Sequence, residues 1–197
     1  MERPDFVHLH LHSEYSLSDG IIRIKELVSR ASSLQYSAVG LTDLTNLFGL
    51  LEFYRSSREK GIKPIVGAEV NVIKDKDSLP APIVLLVKDK QGYINLTKIV
   101  SKAYVDGQVN GEPMVELSLL QKYSEGLIAL SGGMEGHVGQ SILAGNIPLT
   151  ESRIEFFKSI FDEDFFIEVH RLGKTNEEEY NKAAVDIATK MDVPIVA

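Results

Sequence analysis

The stretch HLHLHSEYSLSDG (residues 8–20) decides how the rest of the chain is interpreted. Its histidines His8, His10 and His12 alternate with leucines in an apolar run, which predicts a first β-strand that begins at Phe6. Because successive side chains of a strand point to opposite faces, the three imidazoles are predicted to project from one face. Three of the five histidines of the chain would then lie at one place.

Beyond this stretch, short apolar runs rich in β-branched residues alternate with segments of helical periodicity. The runs that predict strands are 6–11, 38–41, 64–73, 83–87, 127–130, 165–169 and 194–197. The apolar stripes that predict helices are Ile24/Leu27/Val28/Ala31, Leu47/Leu50/Leu51/Tyr54, Leu96/Ile99/Val100/Ala103, Ile154/Phe157/Phe161 and Tyr180/Ala184/Ile187/Ala188/Met191.

Capping residues support three of these helices. Asn46 is predicted to cap the second helix, with Gly61 just past its end, and Thr150 to cap the helix that contains Phe157. The sequence TNEE (175–178) is predicted to form a capping box before the last helix.

The repeated order of strand and helix predicts an α/β fold of parallel strands joined by crossover helices. Either an open doubly wound sheet or a closed barrel satisfies this order. The seven strand candidates, and the lack of a Gly-x-Gly-x-x-Gly sequence after the first strand, favour a barrel. Residues 74–78 and 106–111 are predicted surface loops and not domain boundaries. Because the chain stops inside the apolar run 194–197, we expect residues 1–197 to be a fragment of a longer protein.

Composition restricts the classes of function. With 21 Lys and Arg against 28 Asp and Glu, the net charge is −7, so the chain lacks the basic surface of a protein that holds nucleic acid by itself. There is no cysteine, which excludes disulfides and thiolate metal sites. No run approaches the about 20 apolar residues of a membrane span, so we expect a soluble, cytoplasmic protein without a membrane partner.

Acidic residues are predicted to join the histidines at the barrel mouth, where the carboxyl ends of the strands converge. Asp43 ends the second strand, Glu69 lies late in the third, and Asp19 follows the first strand in a loop. Imidazoles and carboxylates are ligands of zinc, manganese or iron, and paired metals of this kind activate water against phosphoesters. Metal binding and simple polar packing at the barrel rim both remain open from the residues alone.

Other polar residues give weaker indications. The sequence Ser131-Gly132-Gly133 could bind a phosphate through backbone N–H groups, but a plain glycine turn explains it better. His137 and His170 are interpreted as surface or rim residues rather than ligands. No nucleophile elbow or Ser/His/Asp order is visible, so no catalytic residue is assigned.

Several motifs together resemble the PHP (polymerase and histidinol phosphatase) domain of bacterial polymerase III alpha subunits. The motifs occur in the same order as in that family. They are HLHLHSEYSLSDG (8–20), LTDLTNLFGL (41–50), GIKPIVGAE (61–69), YINL (93–96) and GLIALSG (126–132). The resemblance runs from Phe6 to the end of the chain. It implies an irregular (β/α)7 TIM-like barrel of the PHP type, of which the C-terminal part is missing.

The resemblance also implies a set of metal ligands, four of which are intact. They are His10, His12, Asp19 and Glu69. Three further ligand positions of active members are changed, and they hold Leu44 in place of a histidine, Pro82 in place of a histidine and Gly133 in place of a cysteine. None of the three replacement side chains can coordinate a metal. A final Asp-x-His pair of active members would lie beyond Ala197.

With these ligands lost, the resemblance implies a vestigial site and a phosphoesterase activity that has disappeared. No cofactor is then expected beyond weak binding of Zn²⁺, Mn²⁺ or Mg²⁺. The parent chain would be the DNA-directed DNA polymerase of chromosomal replication, which holds DNA through its other parts. The implied partners are the proofreading exonuclease (epsilon) subunit and other subunits of the polymerase III holoenzyme. The alternative is a metal-dependent phosphoesterase or 3′–5′ exonuclease with residual activity.

Overall fold

The computed structural model describes residues 6–17, 19–74 and 78–197. The chain divides into two compact units, Met1–Glu69 and Val70–Ala197. Strand and helix alternate in both units, so the predicted α/β class is confirmed.

The first unit is built around one parallel strand pair and two helices. Its elements are a 3₁₀ turn (Glu14–Ser16), α1 (Ile24–Ser33), β1 (Ala38–Leu41), α2 (Leu50–Glu59) and the first part of β2 (Lys63–Ile73). Ala38 of β1 lies opposite Lys63 of β2, and Leu41 lies opposite Val66. The apolar core of this unit consists of Ile24, Val28, Ala31, Val39, Leu41, Phe53 and Ile62.

The second unit continues β2 from Val70 and carries the remaining elements. The strands are β3 (Ala81–Val87), β4 (Gln108–Val109), β5 (Glu112–Pro113), β6 (Val115–Glu116), β7 (Leu127–Leu130), β8 (Phe165–Glu168) and β9 (Ile195–Val196). The helices are α3 (Lys90–Val105), α4 (Leu117–Tyr123), α5 (His137–Leu143), α6 (Ile147–Phe161), a 3₁₀ turn (Asp162–Asp164) and α7 (Glu177–Met191).

Parallel pairs join β2 to β6, β7 to β8 and β8 to β9, but β3 pairs with β7 in the antiparallel direction. The prediction of an all-parallel sheet was therefore wrong at β3. Only seven residues separate β2 from β3 in the sequence, whereas a crossover between parallel strands takes about a dozen residues or more.

The predicted first strand is not formed as a strand. Gly40 N–H donates to His8 O and Thr42 N–H donates to Leu11 O, but the N–H of Leu11 donates to the Thr42 side-chain Oγ1 instead of to a backbone carbonyl. A side chain thus interrupts the ladder, and residues 6–12 run beside β1 without regular strand pairing.

The apolar stripes correctly predicted α1, α3, α6 and α7, each of which buries most of its stripe. The stripe of α2 was wrong. Phe53 and Ser57 are its buried residues, while Leu51 and Tyr54 are exposed. Phe53 fills the core of the first unit and so decides which face of α2 is turned inward.

The predicted caps were mostly wrong, although Gly61 does follow α2 with φ of +71°. Gly49, not Asn46, is the N-cap of α2. Asn146 caps α6 by accepting from Leu149 N–H, because the helix begins three residues before Thr150.

No capping box forms at 175–178. Asn176 is the N-cap of α7 in a left-handed conformation and makes no side-chain cap bond. The carboxylate of Glu177 accepts instead from the backbone N–H groups of Leu172 and Gly173.

Of the two predicted loops, the stretch 106–111 contains β4 and the turn of a short hairpin. Asn110 and Gly111 occupy that turn with φ of +54° and +85°, which an Asn-Gly pair adopts readily. The other predicted loop, 74–78, lies partly outside the described residues. No helix among the described residues has the length and apolar character that crossing a bilayer requires.

Candidate functional site

Two histidines and one acid from the predicted set lie together in the first unit. His10 Nε2 is 2.7 Å from Glu69 Oε2, and His12 Nε2 is 3.7 Å from the same oxygen. The two imidazole rings meet edge to face, with centroids 5.4 Å apart. Glu69 thus places one carboxylate oxygen between the two histidines.

Asp19 lies on the other side of His12. Its Oδ2 is 2.7 Å from His12 Nδ1, and 65% of its side chain is exposed to solvent. A carboxylate in this position fixes the tautomer and orientation of an imidazole, as the outer partners of metal-bound histidines do. The four residues form two hydrogen-bonded pairs, His10 with Glu69 and His12 with Asp19, and the two pairs approach each other at 3.7 Å between His12 Nε2 and Glu69 Oε2.

The donor set of this network fits a single divalent metal. One ligand atom each from His10, His12 and Glu69 lies within 4.8 Å of the others. His12 Nε2 is buried and has no hydrogen-bond partner among the described residues. Two imidazole nitrogens and one carboxylate oxygen are ligands that zinc and related metals accept.

His8 is separate from this cluster. Its ring packs edge to face against Tyr36 and Phe6, with centroids 5.5 Å and 4.9 Å away. The predicted alignment of three imidazoles on one face therefore reduces to the pair His10 and His12, because residues 6–12 do not form a regular strand.

Asp43 has a structural role that its position in the sequence did not reveal. Its carboxylate is 2% exposed and accepts from the Ser13 backbone N–H at 2.6 Å, from the Ser13 hydroxyl at 2.8 Å and from the Ser16 hydroxyl at 2.7 Å. Ser16 Oγ in turn accepts from the N–H of Leu44. This polar lock, Asp43 with Ser13 and Ser16, holds the segment between His12 and Asp19 against the end of β1.

Leu44 lies directly beside Glu69. The two residues form an isolated parallel bridge, and Thr45 N–H donates to Glu69 O at 2.7 Å. The position at which the resemblance implies a histidine in active members is thus adjacent to Glu69, and the aliphatic side chain of Leu44 occupies it.

Pro82 and Gly133, the other two changed positions, belong to the second unit. A Cβ atom on Gly132 would lie 2.2 Å from Pro82 O, and one on Gly133 would lie 2.8 Å from His170 Nδ1. The glycine turn after β7 is therefore required by close packing and by positive φ at both glycines. Close packing and positive φ thus account for both glycines, in agreement with the interpretation of 131–133 as a plain turn.

His170 pairs with a buried acid of the same unit. Its Nε2 is 3.0 Å from Glu168 Oε1. The backbone of Glu168 is held on both sides, because its N–H donates to Ser131 Oγ and its carbonyl accepts from the Tyr180 hydroxyl. Burial raises the pKa of Tyr180 above its usual value, so this hydroxyl remains a donor.

His137 links two elements of the second unit. Its Nε2 lies 3.1 Å from Val72 O on β2, and Arg153 donates to its backbone carbonyl. Burial, with the positive charge of Arg153, lowers the pKa of His137, so a neutral imidazole is favoured. It anchors α5 structurally, and the described contacts give it no ligand role.

Two polar clusters were not predicted from the sequence, the lock at Asp43 and the Glu168–His170 pair. The Ser-x-x-Ser spacing of residues 13 and 16, opposite an acid that ends a strand, could have indicated the first. Glu168 gave no comparable sign, because it is the last residue of β8 and a polar side chain is ordinary at the end of a strand.

The family model of sequences described as "PHP domain" matches residues 8–172 of the chain. The chain belongs to the PHP domain family. The DNA polymerase III alpha subunits of Vibrio cholerae and Escherichia coli are 40% and 42% identical to it over 199 aligned residues, across its whole length. The chain spans 17% of the length of each of these two relatives.

Two solved structures share the fold at low sequence identity. One is a protein of Bifidobacterium adolescentis assigned as a metal-dependent phosphoesterase, with a TM-score of 0.63, 13% identity and coverage of 98% of this chain and 87% of that one. The other is an amidohydrolase of Chromobacterium violaceum with bound sulfate and no metal, with a TM-score of 0.62, 19% identity and coverage of 96% and 84%. These two similarities are compatible with the predicted TIM-like barrel of the PHP type.

Proposed function

We propose that this PHP domain is part of a DNA polymerase III alpha subunit and serves chromosomal replication as a non-catalytic module that docks the proofreading exonuclease subunit. The observation that carries the assignment to a polymerase is the 40–42% identity over the whole chain to alpha subunits. DNA synthesis and DNA binding would then be carried out by other parts of the parent chain. The net charge of −7 supports this division, since the mean field of the chain repels phosphates.

The side chains at three ligand positions support the loss of hydrolysis. Leu44, Pro82 and Gly133 provide no lone pair, so a cluster of several metals would lack ligands from three separate elements. The carboxylate of Asp19 is engaged with His12 Nδ1, which leaves His10, His12 and Glu69 as the compact ligand group of the first unit. Three ligands can hold one ion, whereas hydrolysis of phosphoesters by paired metals needs two held about 3.5–4 Å apart.

The alternative function is that of a metal-dependent phosphoesterase, and one observation favours it. The buried Nε2 of His12 makes no hydrogen bond to a described residue, and a metal ion would satisfy such an atom. A bound ion would supply Lewis-acid activation of water. His10, His12 and Glu69 would hold it, and Asp19 would orient the His12 ring.

Hydrolysis assays separate the two functions. The purified full-length alpha subunit, supplied in turn with Mn²⁺, Zn²⁺ and Mg²⁺, is expected to hydrolyse neither a phosphomonoester nor the 3′ end of single-stranded DNA above the blank. Turnover that disappears in the His12→Ala variant would establish the alternative. A parallel assay of the His8→Ala variant controls for general damage, because His8 lies outside the cluster.

A deletion tests the docking role. Full-length alpha subunit and a form without residues 1–197 are compared for binding of the purified exonuclease subunit in a pull-down. We expect binding to be lost in the deleted form. Undiminished binding would refute the docking role, and retention of polymerase activity by the deleted form would show that the loss of binding is specific.

A further inference from the structure

Helix α2 carries apolar side chains that the fold does not bury. Phe48, just before the helix, is 69% exposed, and Leu51 and Tyr54 are 61% and 49% exposed. Leu51 and Tyr54 lie three residues apart and therefore on the same side of the helix. The core of the first unit instead takes Phe53 from the opposite side.

Two arginines continue the same side of the helix toward its C-terminus. Arg55 and Arg58 lie four and seven residues after Leu51, a spacing that places all three on one stripe. Both arginines are exposed. Neither guanidinium has a hydrogen bond or ion pair with any described residue. We define Phe48, Leu51, Tyr54, Arg55 and Arg58 as the outer face of α2.

The composition of this face is that of a binding surface. Aromatic residues and arginine are enriched at the centres of protein interfaces, where a few of them carry most of the binding energy. Exposed apolar side chains that lie together, beside polar ones, are a feature of interaction sites more than of ordinary surface. Arginine side chains with no partner in the same chain can receive carboxylates in bidentate geometry.

We infer that the outer face of α2 docks a protein segment that presents apolar side chains next to carboxylates. The apolar end, at Phe48, Leu51 and Tyr54, would bury the partner's apolar side chains, and Arg55 and Arg58 would pair with its acids. The choice of partner rests on the function proposed above, in which that segment belongs to the exonuclease subunit.

The charges around the face favour a protein over a nucleic acid or a lipid surface. Glu52 and Glu59 lie on α2 beside the stripe and would repel the phosphates of DNA or of anionic headgroups. A helix that lies in a membrane surface carries its basic residues opposite or around the apolar face, whereas here two arginines continue the apolar stripe itself.

The test uses two double variants of the full-length alpha subunit and the purified exonuclease subunit. One variant removes apolar contacts (Leu51→Ser with Tyr54→Ser), and the other reverses charge (Arg55→Glu with Arg58→Glu). The matched control, Lys25→Glu with Arg30→Glu, reverses two exposed charges on α1 of the same unit. We expect each test variant to weaken binding about tenfold or more, and the control to stay within about twofold of wild type.

Thermal melting first shows whether each variant folds. If the apolar variant does not, the charge-reversal pair and a photo-crosslinking amino acid at position 54 give the answer, since the crosslink should capture the exonuclease subunit in an otherwise wild-type chain. Wild-type affinity in folded variants, together with no crosslink, overturns the docking surface.

The deletion of residues 1–197 separates this outcome from failure of the proposed function. If the deletion abolishes binding while the variants keep it, the partner docks elsewhere on the domain and the proposed function stands. If the form without residues 1–197 also keeps binding, both the docking surface and the proposed docking function are refuted. Charge reversal that leaves exonuclease binding unchanged but lowers binding of an oligo-dT probe or of anionic phosphatidylserine vesicles would assign the face to nucleic acid or lipid and overturn the proposal.

Discussion

Asp43 and Ser13 are joined by three hydrogen bonds, because the carboxylate accepts from the serine's backbone N–H and takes its hydroxyl on both oxygens. Ser13 directly follows His12, so the buried acid at the end of β1 sets where the histidine pair lies. The ligand cluster is therefore positioned by side chains and not by a regular strand.

Replacement of this acid should destabilise the chain. We expect Asp43→Asn to lower the free energy of unfolding by about 2–3 kcal/mol, because charge-assisted bonds are lost and buried donors of Ser13 and Ser16 meet an amide. Urea unfolding of the variant measures the change. Glu26→Gln, on the exposed face of α1, is the control and should shift stability by less than about 0.5 kcal/mol. An equally small effect of Asp43→Asn would show that the lock contributes little.

The network around Glu69 should contribute to stability without any metal. His12→Ala or Glu69→Ala should each cost about 1–3 kcal/mol, since removal of one partner leaves the other partly buried and unsatisfied. A double-mutant cycle of His10 and Glu69, which lie 2.7 Å apart, should show coupling between them. Strictly additive effects would argue against a direct interaction.

Chelation should change the thermal midpoint little. A group of three ligands gains at most weak metal linkage, whereas a filled multi-metal cluster would stabilise the folded state by mass action. Melting curves with EDTA, and then with added Zn²⁺ or Mn²⁺, distinguish the two cases. A large fall with EDTA that either metal reverses would favour the phosphoesterase.

Gly133 should tolerate a side chain worse than Gly145. Both have positive φ, of +59° and +64°, so alanine should cost about 1–2 kcal/mol at either position. A Cβ on Gly145 meets nothing within 4 Å, whereas one on Gly133 would press on His170. Gly133→Ala should therefore cost more in urea unfolding, and the excess should vanish in a His170→Ala background. Equal costs for the two glycines would exclude strain from His170.

Acid should weaken the loop before α7 through Glu177. The backbone N–H of Leu172 and that of Gly173 hold the pKa of this carboxyl below its ordinary value of 4.5. Its stabilising contribution is therefore complete above about pH 4.5 and is lost as the pH falls through the lower folded-state pKa. Melting temperatures measured from pH 6 downward, with about 0.5 pH steps, should fall less steeply for Glu177→Gln than for wild type. Glu179→Gln, an exposed neighbour, should keep the wild-type slope.

Local patterns predicted most elements because apolar spacing reports burial directly. The stripes at Ile24 and Leu96 were correct, since each helix buries most of its predicted stripe. Helix α2 has apolar residues on two faces, so periodicity alone could not tell that Phe53 would be buried and Leu51 exposed. Tertiary packing settles that choice.

The candidate site was predictable in its members but not in its arrangement. Motif similarity named His10, His12, Asp19 and Glu69, and the structure brings the four side chains close together as two hydrogen-bonded pairs. The contact of Asp19 with His12 Nδ1 depends on how the loop after residue 12 folds back. The spacing of residues in the sequence does not predict that path. The same holds for His170, whose ring lies close to where a Cβ on Gly133 would be, although the two residues are far apart in sequence.

The way in which residues 11–13 are held has a consequence for amide hydrogen exchange. The N–H of Leu11 donates to Thr42 Oγ1 and that of Ser13 to the Asp43 carboxylate, so both amides are protected by side chains of consecutive residues. Protection of this kind should disappear when those two side chains are shortened, even though backbone pairing of β1 with β2 is untouched. The exchange rates of two amide protons thus report on the segment that carries the histidine pair, without any assay of metal or activity.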